Sequence, residues 1–134
     1  MSEKQEFEKK LKYKYPNLYA DIWKDPMQTC MAWGVETGIG WFELIEKMSE
    51  KLEPICKKYG CKMSQIKEKF GTLRVYMSHY PKEVEKEIDD IIDEAERESE
   101  KTCEECGKPG KLYTKGWCMV RCDDCKKEEE KRYK

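Results

Sequence analysis

The chain has 134 residues, 27 basic and 28 acidic side chains, and a formal charge of −1. With 41% of residues charged and 38% hydrophobic, it has room for one ordinary domain, or a small domain plus a metal module, around a modest core. No apolar run reaches about 18 residues, which excludes a transmembrane helix, and the N-terminus lacks an apolar signal region, so a cytoplasmic location is expected.

Glu3 to Tyr13 reads as a helix, with Phe7 and Leu11 four apart on one face. Pro16 breaks or restarts it, and Leu18, Tyr19, Ile22 and Trp23 are placed on a short second helix. Asp25-Pro26 marks a turn. Thr29 to Trp41 is poor in charge and holds Trp33-Gly34 and Gly38-Ile39-Gly40-Trp41. Glycines that permit unusual dihedrals, beside large indoles, predict a buried irregular loop. The pair Gly38 and Gly40 lacks the lysine and third glycine of a phosphate-binding loop.

From Trp41 to about Lys58 the apolar residues Trp41, Ile45, Met48, Leu52, Ile55 and Tyr59 form one helical stripe. Gly60 stops the helix, and Pro54 is expected to kink or divide it. Residues 63–77 read as a hairpin whose strands flank Phe70-Gly71. A two- or four-residue loop pairs Ile66 near Val75 on the core side and puts Lys67, Lys69, Arg74 and Tyr76 on the outer face. A three-residue loop reverses that parity on the first strand.

Pro81 opens a helix that runs to about Lys101 with Val84, Ile88, Ile91, Ile92 and Ala95 as its apolar stripe. Residues 82–101 hold ten acids against four bases. The opposite face therefore presents Glu83, Glu87, Asp90 and Glu94, either as a solvated exterior or as an acidic partner face.

The C-terminal segment carries the most specific signal. Cys103-Glu-Glu-Cys106 and Cys122-Asp-Asp-Cys125 are two Cys-x-x-Cys knuckles at zinc-site separation. Four thiolates complete a tetrahedral shell and leave no open position for water, so the expected Zn²⁺ is structural. Residues 112–114 and 117–121 read as short strands, and 126–134 as a helix. Knuckle, hairpin and a second pair at a helix start follow the order of a treble clef; a zinc ribbon, with a second hairpin in place of the helix, is the alternative. Cys118 is placed beside the site, with ligand replacement as its other reading, and Cys30, Cys56 and Cys61 are read as small apolar core residues. Nine bases and seven acids in residues 103–134, with four thiolates and one Zn²⁺ added, leave this module nearly neutral. That is not the basic patch of a dedicated nucleic-acid binder.

No catalytic residue is assigned, and the chain is read as a non-enzyme. His79, the only histidine, lies in a Ser-His-Tyr-Pro turn and is placed on the surface.

Gly40-Trp-Phe-Glu-Leu-Ile, Lys67-Glu-Lys-Phe-Gly-Thr-Leu-Arg-Val-Tyr76, Thr102-Cys-Glu-Glu-Cys-Gly-Lys-Pro-Gly110, and Trp117 with Cys122 and Cys125 occur in one order over residues 33–125. On these segments the chain resembles a group of small uncharacterised bacteriophage and prophage proteins. The resemblance implies a phage origin, a bacterial host cell and a zinc-stabilised fold, and it carries over no functional residues beyond the metal ligands. Small phage proteins of this kind often bind a host protein, including components of antiviral defence.

The fold expected is α+β: a body over 1–101 of helices packed around the hairpin, with a treble-clef-like or ribbon-like module over 102–134 seated on it as one unit. The leading function is a zinc-stabilised interaction protein that binds, and in its stronger form inhibits, a host macromolecule. One alternative is a nucleic-acid-binding accessory protein acting through Lys67, Lys69, Arg74 and Tyr76, with Lys108, Lys111, Lys115 and Arg121 as a second patch. The other is a protein that sequesters a small anionic nucleotide-like ligand between tryptophan walls of the 33–41 loop.

Overall fold

The computed structural model describes residues 2–132. Helix α1 (Glu3–Lys14) begins at Ser2, whose hydroxyl accepts the Gln5 amide while the Gln5 side chain accepts the Ser2 amide. This reciprocal cap satisfies two donors that a helix start otherwise leaves unpaired. The helix buries Phe7 and Leu11 as expected, and also Glu8.

The expected second helix does not form. Residues 16–24 make successive turns; Leu18, Tyr19 and Ile22 are buried, while Trp23 sits at φ 66° and is half exposed. The Leu18 amide donates to Glu53 Oε1 at 2.7 Å, and its carbonyl accepts the Met63 amide at 2.8 Å. Distant partners take up this backbone, so no helical ladder propagates.

The 29–41 segment is irregular, as expected, but not wholly buried. It has two 3₁₀ turns, Cys30–Trp33 and Ile39–Trp41, around a two-residue strand β1 (Val35–Glu36). Trp41 is fully buried, whereas Trp33 is 62% exposed. Glu8 is buried because its Oε2 accepts the Val35 amide at 2.8 Å.

Helix α2 (Phe42–Tyr59) runs unbroken through Pro54 and ends at Gly60, whose φ of 74° is the left-handed stop. Strands β2 (Lys62–Lys69) and β3 (Thr72–Ser78) form the hairpin. Its loop is the two residues Phe70 and Gly71, both at positive φ, which matches the right-handed twist of the flanking strands. Ile66 therefore pairs with Val75 on the core side, and Lys67 pairs with Arg74 outside. A bulge between Met63 and Gln65 resets the alternation, which lets Met63 and Ile66, three apart, both reach the core. β1 joins β2 in parallel, giving the sheet order β1-β2-β3.

Helix α3 (Glu85–Ser99), entered through a 3₁₀ turn after Pro81, closes the free edge of β3. Ser99 Oγ accepts the Leu73 amide at 3.0 Å, and Glu96 Oε2 accepts the Val75 amide at 3.2 Å. An edge strand whose amides are covered cannot recruit another chain. Ile88, Ile92 and Ala95 meanwhile enter the core.

The C-terminal module consists of β4 (Lys111–Tyr113) paired antiparallel with β5 (Met119–Arg121), then α4 (Asp123–Arg132). Helix α4 starts three residues earlier than expected; the expected stretch at 133–134 lies outside the described residues. The architecture is α+β with four α-helices and two small sheets among the described residues. No helix among them is long and apolar enough to cross a membrane.

Candidate metal centre and its surroundings

Cys103 and Cys106 lie on the knuckle between α3 and β4, Cys122 immediately follows β5, and Cys125 is in the first turn of α4. Their sulfurs all fall within 4.8 Å of one another, with Cys106 and Cys122 at 3.6 Å. A tetrahedron with metal–sulfur bonds of about 2.3 Å has sulfur–sulfur edges of about 3.8 Å. The four cysteines thus form a cluster able to hold a metal ion.

The backbone shapes that cluster. The Cys103 amide donates to the Lys108 carbonyl at 2.8 Å and the Gly107 amide to the Cys103 carbonyl at 2.9 Å, which folds the knuckle. The Cys125 amide donates to Cys122 Sγ at 3.4 Å and pulls that thiol down to about 7. Burial pushes Cys125 up. Cys122 also sits at the start of α4, where the helix dipole favours an anion.

The body grips the first knuckle through the glycine loop. The Gly40 amide donates to the Glu104 carbonyl at 2.7 Å, the Gly38 amide to Glu104 Oε2 at 2.9 Å, and the Trp41 indole Nε1–H to the Thr102 carbonyl at 2.8 Å. A Cβ on Gly40 would stand 2.1 Å from the Cys103 carbonyl oxygen and 2.6 Å from the Glu104 carbonyl. Gly38 and Gly40 exist for this close approach, not for a phosphate. The sequence signal was present, as two glycines around one residue, but it names no partner. Val120 of β5 enters the body's core, and Gly71 at the hairpin turn rests against Leu112 and the Cys118–Met119 backbone.

Arg121 is not part of a basic patch. It is largely buried and faces Glu104, Glu105 and Glu129, with its Nε 3.3 Å from Glu129. Burial pushes the Glu104 carboxyl above its ordinary value, against the pull of the Gly38 amide.

The two predicted surfaces fare differently. Lys67, Lys69, Arg74 and Tyr76 do share the outer face of the hairpin. Lys67 and Arg74 are only half exposed, however, and Arg74 Nε is buried without a hydrogen-bond partner. Glu83, Glu87, Asp90 and Glu94 are all exposed, but Asp90 pairs with Lys86 at 2.9 Å and Glu94 with Lys51 at 3.1 Å. Half of that acidic face is already neutralised.

No family model, characterised protein or solved structure matches the chain. Function must be read from the site itself.

Exposed aromatics mark one further surface, of which the sequence indicates Phe70 at a hairpin tip but not its meeting with Trp117. Phe70, at the tip of the β2–β3 hairpin, is 70% exposed, and Trp117, in the β4–β5 loop, is 78% exposed. Together with Glu68, Gly116 and Cys118 they border one groove of about 300 Å³. Cys118 is half-buried there and lies outside the cysteine cluster. Of the two tryptophans expected to wall a ligand, Trp41 is buried in the core and Trp33 is exposed, so they do not enclose a pocket.

His79 is exposed, as expected, but has φ 62° and shares a groove of about 490 Å³ with Cys30 and Asp21. Cys30 is exposed rather than in the core. Asp21 is held by Lys62 at 2.7 Å and Lys24 at 3.2 Å. Among the described residues no hydrogen bond joins Cys30 to His79.

Proposed function

We propose that the chain is a non-enzymatic interaction protein whose C-terminal module is a treble-clef-type structural zinc site, and that it docks on a host protein through the two hairpin tips. The observation that carries this reading is the exposed pair Phe70 and Trp117 around one groove. Aromatic side chains on a rigid backing supply most of the energy of protein interfaces, because they bury large areas at little entropic cost. The rigidity here has two sources: the Gly71 contact between the hairpins and the metal beneath β4 and β5.

Zinc is favoured because four thiolates suit a borderline-soft ion and close its shell. The helix after the second pair favours a treble clef over a ribbon. Lys69 and Lys115, exposed and next or near in sequence to Phe70 and Trp117, suit an acidic partner surface. On the phage resemblance, the partner we propose is a protein of a bacterial host's cytoplasm, with an antiviral-defence component as the specific candidate and inhibition as the proposed outcome.

The test is capture from bacterial lysate by the metal-loaded protein. A single stoichiometric partner is expected, and Phe70→Ala with Trp117→Ala should release it. Each truncation should weaken binding by about 30-fold, a hot-spot loss of about 2 kcal/mol. Capture unaffected by both substitutions refutes the surface; no partner refutes the reading.

A second reading rests on Lys69 Nζ, which lies 5.6 Å over the Phe70 ring. A cation beside an exposed ring is also how single-stranded nucleic acid is held. Oligonucleotide binding that falls steeply with salt would favour it over a protein partner.

A further inference from the structure

Two cysteines outside the cluster form a site of their own. Cys56 lies in the last turn of α2 and Cys61 immediately precedes β2; each is 1% exposed. The Cys61 thiol donates to Cys56 Sγ at 3.3 Å. A disulfide needs about 2.05 Å between sulfurs, so the two must approach by only about 1.3 Å more. The intervening residues are Lys57, Lys58, Tyr59 and Gly60, and the Gly60 amide already returns to the Cys56 carbonyl at 2.8 Å. The backbone corner is thus formed before any bond joins the sulfurs.

We propose that Cys56 and Cys61 are an intramolecular redox site, a dithiol in a reducing compartment and a disulfide after exposure to a peroxide. One thiolate attacks the peroxide, giving a sulfenic acid and one water. The second thiol then displaces the hydroxyl as a second water and forms the S–S bond. Two electrons and two protons leave the thiols, and one hydrogen peroxide becomes two waters. A dithiol reductant reverses the change by exchange.

Burial controls the rate. Neither sulfur meets solvent in the closed fold, so the peroxide enters only when the last turn of α2 opens. That turn is flanked by exposed Lys57, Lys58 and Gly60. Once made, the bond is shielded from reductants by the same burial. The disulfide ties the end of α2 to the start of β2, the central strand of the main sheet.

The experiment uses the metal-loaded full chain, so that the four clustered thiols are masked. The protein is treated with hydrogen peroxide, denatured, alkylated and digested with trypsin, which cuts at Lys57 and Lys58. The expected product is a pair of peptides joined through Cys56 and Cys61 that separates on reduction. The melting temperature should rise by about 5–10 °C and return with reductant. Cys61→Ala should remove both effects, and retained metal content checks that this variant is folded. Cys56→Ala serves in its place if it is not. Recovery of Cys56 and Cys61 as separate alkylated thiols, or joined to other cysteines, overturns the proposal.

Discussion

Gly40→Ala tests the coupling between the body and the cysteine module. Gly40 does not adopt a positive φ, so alanine brings no backbone strain of its own. The added methyl would stand 2.1 Å from the Cys103 carbonyl oxygen and 2.6 Å from the Glu104 carbonyl, both backbone atoms that cannot rotate away. The knuckle must move, and with it go the Gly40–Glu104 and Trp41–Thr102 hydrogen bonds. Overpacking costs about 1–3 kcal/mol, and each hydrogen bond contributes about 1 kcal/mol. The expected loss is about 3–5 kcal/mol, a large part of the 5–15 kcal/mol typical of a small domain. Gly60→Ala is the control. It has φ 74° and open space around its Cβ, so it should cost only about 1 kcal/mol, from backbone strain alone. Urea unfolding of the metal-loaded proteins, with metal affinity measured by chelator competition, reads both. If Gly40→Ala costs no more than Gly60→Ala and metal affinity is unchanged, the module is not gripped through this loop.

Three further outcomes are expected. About one equivalent of zinc should co-purify, and Cys106→Ser or a strong chelator should lower the melting temperature and expose Trp41, read by its fluorescence; less than about half an equivalent contradicts a structural site. Ser99→Ala should destabilise by about 1–3 kcal/mol in urea unfolding, because the buried Leu73 amide loses its acceptor on the closed edge of β3. Asp21 gives an acid signature. Burial pushes its carboxyl up, but Lys62 and Lys24 outweigh this and leave it below its ordinary value. Its contribution is therefore full above the ordinary carboxylate range, about pH 4, and is lost as pH falls through the lower folded value. Asp21→Asn should reduce stability at pH 7 and converge with the parent near pH 2; an unchanged gap at both ends refutes the ion pair's role.

Residues that speak through local pattern were legible without coordinates. The Ile45-Met48-Leu52-Ile55 stripe is helix α2, the alternation around Phe70-Gly71 is the hairpin, whose two-residue loop and register only the structure fixed, and the two Cys-x-x-Cys pairs are the cluster. In each case the decisive interaction spans a few residues, or a fixed ligand spacing, and the side-chain types state it. Pro54 shows the limit of such local rules: at an exposed position of a helix anchored by buried neighbours, one missing amide does not divide it.

What the sequence by itself determined is helices α1, α2 and α3, the place of the main hairpin, and the identity of the four clustered thiols, because these depend on spacing along the chain. Only the tertiary structure decided the rest. The turns at 16–24 take long-range hydrogen bonds in place of a helix, and Glu8 is buried to serve the Val35 amide. Gly38 and Gly40 admit the knuckle, and Cys56 meets Cys61 across the end of a helix. Phe70 and Trp117, 47 positions apart, border one groove because Gly71 lets two hairpins touch. Each of these is a contact between segments whose separate patterns carry no reference to the other.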